Sequence, residues 1–385
     1  MLFSRDKLVI YYTAFVTLAT FQGLQVLYNT LMSEFHASKS DLSLLLTVVF
    51  ACLAVAPLFY GYLLESLTPK KVLAASLLLL SIFQLGIAGA ANFDFLLGMR
   101  LMQGLLIPAI LTSLMTYIGT TNEGMEVQSS MAAYIGSTIL GGFLGRLLSG
   151  FFSSIFGWRY AMIFFFAAQI LALVLILKMR ESGKASFTRP KLSKIPDILR
   201  KPGYLKIYLV VFCAFFVFAS MLNFLPFRIA EIGGASDIVI GIMYAGFSVG
   251  VIISLVVLHI INFLGGEMRT AITGLCIFLL SCLLMLSDRR MVIFFVMFGF
   301  CGGFFLLHTV LPGFINRMAD KDKSLINALY LNFYYFGGTL GSFFPGLIYQ
   351  IWGWNIYVLF LSAFIVIAMF LSLGIIRNHD HSRGP

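Results

Sequence analysis

Charge is what this chain has least of. Only 11% of its residues are Asp, Glu, Lys or Arg, where a soluble domain carries about 25%. So little charge leaves too little polar surface to face water, which excludes a water-soluble globule. A nucleotide-driven machine within this chain is excluded next. There is no P-loop and no GxGxxG, so energy from ATP would need another subunit. No CxxC pair occurs among Cys52, Cys213, Cys276, Cys282 and Cys301, and all five lie in or beside apolar stretches. They read as small buried hydrophobes rather than disulfides or metal ligands. The tail His379-Asp380-His381 offers only two imidazoles on a chain end, so no metal and no cofactor is expected. Gly246-Phe-Ser248-Val-Gly250 matches the hydrolase pattern GxSxG. That pattern works on a strand-to-helix elbow with an acid and a histidine nearby. Here it lies in an apolar helix, where close packing of small residues accounts for it, so no enzyme is expected.

What is abundant is apolar residue, at 60% of the chain with a mean hydropathy of +0.97. The apolar residues come in continuous runs of roughly 20, the length that crosses a ~30 Å hydrocarbon core as a helix. Backbone amides in lipid must be satisfied internally, so such runs are helices or barrel strands, and continuous runs exclude the alternating pattern of a barrel. Spans are expected at about 8–33, 42–64, 72–91, 95–117, 128–152, 159–178, 206–230, 238–262, 270–287, 291–315, 324–351 and 355–376. The first is too long for a signal-peptide core and lacks a clear cleavage site.

The net charge of +10 is a topology signal and not a nucleic-acid footprint. With the N-terminus cytoplasmic, Arg5, Lys7, Lys70, Lys71, the run from Lys178 to Lys206, Arg269, Arg317, Lys321, Lys323, Arg377 and Arg383 share one side. That is the positive-inside pattern, and it places both termini in the cytoplasm. Arg289 and Arg290 break it locally. The longest polar stretch, with Pro190, Pro196 and Pro202, reads as a linker anchored at the anionic inner leaflet. It divides the chain into an N-terminal bundle (1–178), a linker (179–205) and a C-terminal bundle (206–385).

The bundles are related. A shift of 196 residues carries Ala132, Tyr134, Gly141, Gly142, Gly145, Gly150, Ile155, Gly157 and Trp158 onto Ala328, Tyr330, Gly337, Gly338, Gly341, Gly346, Ile351, Gly353 and Trp354 without a gap. Parallel repeats of this kind place a solute site near the midplane in carriers. The GxxxG pairs Gly141/Gly145, Gly246/Gly250 and Gly337/Gly341 let helix backbones approach closely.

Polar residues inside spans are rare and therefore informative. Gln22, Gln25 and Asn29 share one face of the first span, as do Asn327, Tyr330 and Tyr334 in the eleventh. Lining a cavity is one reading of the first set and an interhelical hydrogen-bond seam is its rival. Asn223 and Arg228 lie in span seven, and His308 in span ten. A lone histidine there is either a satisfied structural group or one that contacts solute or proton. Arg100 and Arg146 sit inside spans four and five, where a charge needs a partner or a wet cavity. No carboxylate lies in the middle of any span; Glu34, Asp41, Glu231 and Asp237 sit at outer ends. Proton coupling would fall to Glu34, Asp41, His308 or Arg100.

These residues resemble the major facilitator superfamily over nearly the whole chain, and within it the acriflavine-sensitivity (YnfM-like) branch of twelve-span bacterial exporters. Gly61-Tyr-Leu-Leu-Glu65-Ser-Leu-Thr-Pro-Lys70-Lys71 is similar to the superfamily's Gly-x-Leu-x-Asp-x-x-Gly-Arg-Lys loop, with Glu65, Thr68 and Pro69 as departures. Arg100-Leu-Met-Gln103-Gly104 resembles the span-four signature tied in the family to proton transfer. Gly141-Gly142-Phe-Leu-Gly145-Arg146-Leu-Leu-Ser149-Gly150 resembles the branch's span-five signature without its usual proline. Gly303-Phe-Phe-Leu-Leu-His308 and Leu329-Tyr330-Leu-Asn-Phe-Tyr334-Tyr335 also match the branch. The resemblance implies two six-helix bundles and proton-linked efflux of small molecules. The expectation is therefore an all-α membrane transporter of twelve spans, working by alternating access as a monomer in the bacterial inner membrane. Its partners would be a small solute, protons and the lipid bilayer. Proton-linked uptake of a nutrient is the alternative on the same fold. Glu65 would latch the bundles at the start of span eleven, where a helix N-terminus favours negative charge.

Overall fold

The computed structural model describes residues 5–55, 60, 64, 66–123, 125–181, 192–319 and 321–381, without the side chains of 192, 324 and 376–381. Every regular element among them is helical. The α-helices of the N-terminal part are α1 (Arg5–Gly23), α2 (Tyr28–Phe35), α3 (Lys39–Val55), α4 (Pro69–Ala88), α5 (Phe93–Thr121), α6 (Met125–Phe156) and α7 (Trp158–Leu177). After the short α8 (Ile195–Leu199) come α9 (Pro202–Glu231), α10 (Asp237–Met243), α11 (Val249–Leu264), α12 (Glu267–Leu284), α13 (Arg290–Met318) and α14 (Lys323–His381).

Ten candidate spans among the described residues are long and apolar enough to cross a bilayer. Two local features separate that number from the twelve expected. Leu325–Ile375 runs as one 51-residue stretch, yet Gly353 inside it has φ 77°, a left-handed conformation open to glycine, and splits it into two spans. The second expected span reaches its described limit at Val55 as α3, a helix of 17 residues. Gly157, the repeat counterpart of Gly353, has φ 94° and separates α6 from α7 in the same way. Leu258, Phe263, Leu280 and Phe370 are largely exposed, as side chains that face lipid should be.

The chain forms two compact units. Unit 1 is Met1–Thr188 with Ile229–Tyr244, and unit 2 is Arg189–Arg228 with Ala245–Pro385. Inside unit 1, α6 lies tightly against α1. A Cβ built on Gly141 would overlap the backbone of Phe15, and one on Gly145 the backbone of Ala19. Inside unit 2, Gly337 meets the backbone of Phe212 and Gly341 that of Phe216 in the same manner. The internal sequence repeat is therefore also a repeat of helix crossings, each closed by a GxxxG whose missing side chains admit the partner's main chain.

Candidate functional site

In unit 1 two arginines are almost wholly buried, Arg100 at 2% and Arg146 at 1% exposure. Arg100 projects from α5. Its Nε donates to Leu45 O (2.9 Å), its Nη1 to Gln103 Oε1 (2.9 Å) and its Nη2 to Phe21 O. The chain continues: Gln103 Nε2 donates to Gln84 Oε1 (2.7 Å), and Gln84 Nε2 to Met162 O (3.2 Å). A planar fork with several fixed donors suits this task better than an ammonium would. The guanidinium ties α1, α3 and α5 together, and the glutamines extend the tie to α4 and α7.

Arg146 projects from α6 one turn beyond Gly142. It donates through Nε to Gln25 Oε1 (2.9 Å), through Nη1 to Gly142 O (3.1 Å) and through Nη2 to Gln22 Oε1. Its guanidinium also lies 4.4 Å from the Tyr244 ring centroid, a cation–π distance. Gln25 falls in a 3-10 turn, Leu24–Leu27, which interrupts α1 and α2, so the helix face shared by Gln22, Gln25 and Asn29 is bent where Arg146 grips it. Gln22 and Gln25 thus both accept from Arg146 across the α1–α6 contact. Asn29 lies beyond the turn, on α2, and its carbonyl accepts from Ser33 Oγ (3.1 Å).

Unit 2 has a counterpart with different chemistry. A shift of 196 carries Arg146 onto Ser342, whose carbonyl accepts from Asn223 Nδ2 at 2.8 Å. Unit 2 also carries an aromatic cluster. His308 stacks at 5.5 Å from Phe304 and lies 4.8 Å from Tyr334. Tyr334 in turn stacks on Phe215 at 3.7 Å, and Phe304 on Phe218 at 3.8 Å. Two polar atoms here have no hydrogen-bond partner among the described residues, His308 Nδ1 and Tyr330 Oη, although both are buried. Buried polar groups are almost always satisfied, which sets these two atoms apart from the stacked rings around them. Asn327 donates to Asn316 Oδ1 at 2.8 Å.

The remaining expected residues are placed as follows. Glu34 accepts from the Trp158 indole and the Arg159 guanidinium, and Arg159 also donates to Ala90 O at 2.9 Å. Asp41 caps its own helix, accepting from Ser38 N (2.8 Å) and Ser38 Oγ (2.7 Å). Lys70 donates to Met179 O at 2.7 Å. Gly142 and Gly150 are buried on α6. Gly61 and Glu65 lie outside the described residues, and with them the expected latch. The Arg159–Glu34 pair is partly exposed, at 42% and 33%, and such pairs contribute about 0–1 kcal/mol. Glu34→Gln is accordingly expected to leave the melting midpoint of the purified protein almost unchanged. A drop of many degrees would show that the pair does more than hold an exposed corner. Gln84, Asn316, Ser342, Thr30 and Ser153 are hydrogen-bonding partners that the sequence did not single out. Each is a single polar residue with no spacing to mark it.

A helical chain of this length with two repeat-related units and buried, hydrogen-bonded arginines defines a multi-pass membrane transport protein. The family model of the Major Facilitator Superfamily matches residues 10–261 and 207–385, and the chain belongs to that superfamily. It is 28% identical over 383 residues to the inner membrane transport protein YnfM of Escherichia coli (strain K12), covering 98% of this chain and 91% of that protein. It is 25% identical over 395 residues to YybF, an MFS-type transporter of Bacillus subtilis (strain 168), covering 98% and 94%. Among solved structures, a bacterial homologue of the human lysosomal transporter Spinster, inward-facing and occupied, aligns with a TM-score of 0.80 at 17% identity over 97% of each chain. The nucleoside transporter NupG aligns with a TM-score of 0.78 at 13% identity, over 96% of this chain and 99% of that one. The fold is thus the superfamily's, as the motifs implied.

Proposed function

We propose that the chain is a secondary active transporter, a proton-coupled exporter of a small amphipathic solute that works by alternating access. It would sit in the bacterial inner membrane with both termini cytoplasmic, as the distribution of Lys and Arg supports. The observation that carries the reading is the aromatic cluster of unit 2 with its two orphaned polar atoms. Stacked rings with a few convergent polar groups suit a solute that is largely flat and apolar with one or two hydrogen-bonding groups. His308 Nδ1 and Tyr330 Oη would complete their bonding with that solute. The direction, outward against proton entry, rests on the resemblance to the exporter branch.

The test is flux of ethidium and of Hoechst-type dyes in everted vesicles, with and without an imposed pH gradient. Gradient-driven uphill movement is expected for at least one such dye, with His308→Phe lowering it about tenfold while the protein remains folded, equivalent to roughly 1.4 kcal/mol. Movement that only ever equalises concentrations would overturn the proton-coupled, active reading. Uphill movement in the opposite sense would identify an importer.

A further inference from the structure

We infer that Asp237 is a proton-sensitive fastening that holds the segment Ile229–Tyr244 onto the rest of unit 1, and that its protonation sets how readily this segment lifts away. The inference deepens the proposed proton coupling by naming a titrating group, and rests on that reading only for the link to transport.

Asp237 begins α10 and is 8% exposed. Its carboxylate accepts from Thr30 Oγ1 on α2, at 3.0 and 2.9 Å to its two oxygens, and from Ser153 Oγ on α6 at 2.6 Å. The next residue is fastened too, with Ile238 N donating to Ser154 Oγ at 3.1 Å. Glycines make the approach possible. A Cβ on Gly150 would overlap the Asp237 main chain, and one on Gly241 would lie 3.0 Å from Arg146 O.

The repeat shows that this arrangement is particular. A shift of 196 carries Ser40-Asp41 onto Ser236-Asp237, two aspartates each in the first turn of a helix. Asp41 uses its carboxylate locally, on Ser38. Asp237 reaches across to two other helices instead. One aspartate is a cap and the other is a tie.

The partners of Asp237 are hydroxyls. A hydroxyl can donate or accept, so Thr30 and Ser153 serve the carboxylate and the acid alike, whereas an arginine or lysine would have fixed the charged form. The charged groups on the packed elements are otherwise engaged. On α2, Glu34 is held by Arg159 and Trp158. On α6, Arg146 is held by Gln22 and Gln25. Within the segment, Glu231 pairs with Lys39. His36 lies beyond the end of α2 and is exposed. Withdrawing a charged carboxylate from water into this packed site is costly, so packing of the segment and proton uptake favour one another.

The experiment is hydrogen exchange by mass spectrometry on the full chain in nanodiscs, following peptides from 229–244. Rates are corrected for the intrinsic pD dependence of amide exchange. Wild-type opening is expected to slow as pD falls across a range from neutral down to the ordinary aspartate value of about 4, by no more than about tenfold per unit, the limit for one linked proton. Asp237→Asn, which mimics the neutral acid, is expected to stay protected and to lose that response, while Asp237→Glu keeps it. Ser153→Ala is expected to weaken protection at both ends of the range and to serve if Asp237→Asn does not fold. An unresponsive wild-type segment, an Asp237→Asn protein that still responds, or a Ser153→Ala protein with unaltered protection would each overturn the inference. The measurement needs no solute. A pD-responsive segment in a protein without gradient-driven flux would sink the coupling reading alone.

Discussion

Gly145→Val and Gly341→Val are each expected to leave a protein that is severely destabilised and inactive. The reason is the identity of what a new side chain would strike. At both positions the obstacle is main chain, of Ala19 and of Phe216, and a helix backbone cannot rotate aside as a side chain can. The helices must separate along their whole crossing. Overpacking a core by a methylene or two costs about 1–3 kcal/mol when side chains can yield, so valine against backbone is expected at or above the top of that range. Thermal midpoints in detergent should fall by similar amounts in the two units, because the two crossings are copies. Gly136, on the same helix as Gly145, has nothing within 4 Å of a built Cβ, and Gly136→Val should fold normally. Wild-type midpoints for Gly145→Val would mean that the tight crossing of α1 and α6 is not a feature of the folded protein.

Replacing Arg146 has the second large effect. Arg146→Ala removes the donor that Gln22 and Gln25 both accept from, and a hydrogen bond to a charged group contributes about 1.5–3 kcal/mol. Arg146→Lys does not repair this, since a single ammonium cannot reproduce two diverging guanidinium donors together with contact across the Tyr244 ring. Gradient-driven dye export by either variant is expected to fall by about tenfold or more, equivalent to at least roughly 1.4 kcal/mol in the barrier. A triple replacement, Gln22→Leu with Gln25→Leu and Arg146→Leu, separates packing from chemistry. It removes all three polar groups together, so stability should largely return while transport does not. Full recovery of transport in that variant would reduce Arg146 to a structural rivet.

The spans were legible because a bilayer imposes one crude requirement, some 20 apolar residues in a row, and a linear reading can test for it. The repeat was legible because Gly141, Gly145 and Gly150 recur as Gly337, Gly341 and Gly346 at one spacing. Glycine cannot be exchanged where backbones touch, so the copies kept their register. The spacing of Gln22, Gln25 and Asn29 suggested a shared face but did not reveal the 3-10 turn at Leu24–Leu27 that bends it. Nor did it reveal that Arg146 would be the residue waiting there.

The aspartates mark the boundary most clearly. Asp41 and Asp237 are equivalent in sequence, each after a serine and each in the first turn of a helix. Nothing in their neighbours along the chain says that one will cap its own turn and the other will join Thr30 and Ser153, which are 207 and 84 residues away in sequence. Sequence by itself determined that the chain lies in the membrane, that it is helical and that it is internally doubled. These follow from hydropathy and period, which are sums over neighbours. Tertiary structure decided which buried polar groups meet. A hydrogen bond depends on a few tenths of an ångström between residues far apart in the chain, and only the packing of helices fixes that distance.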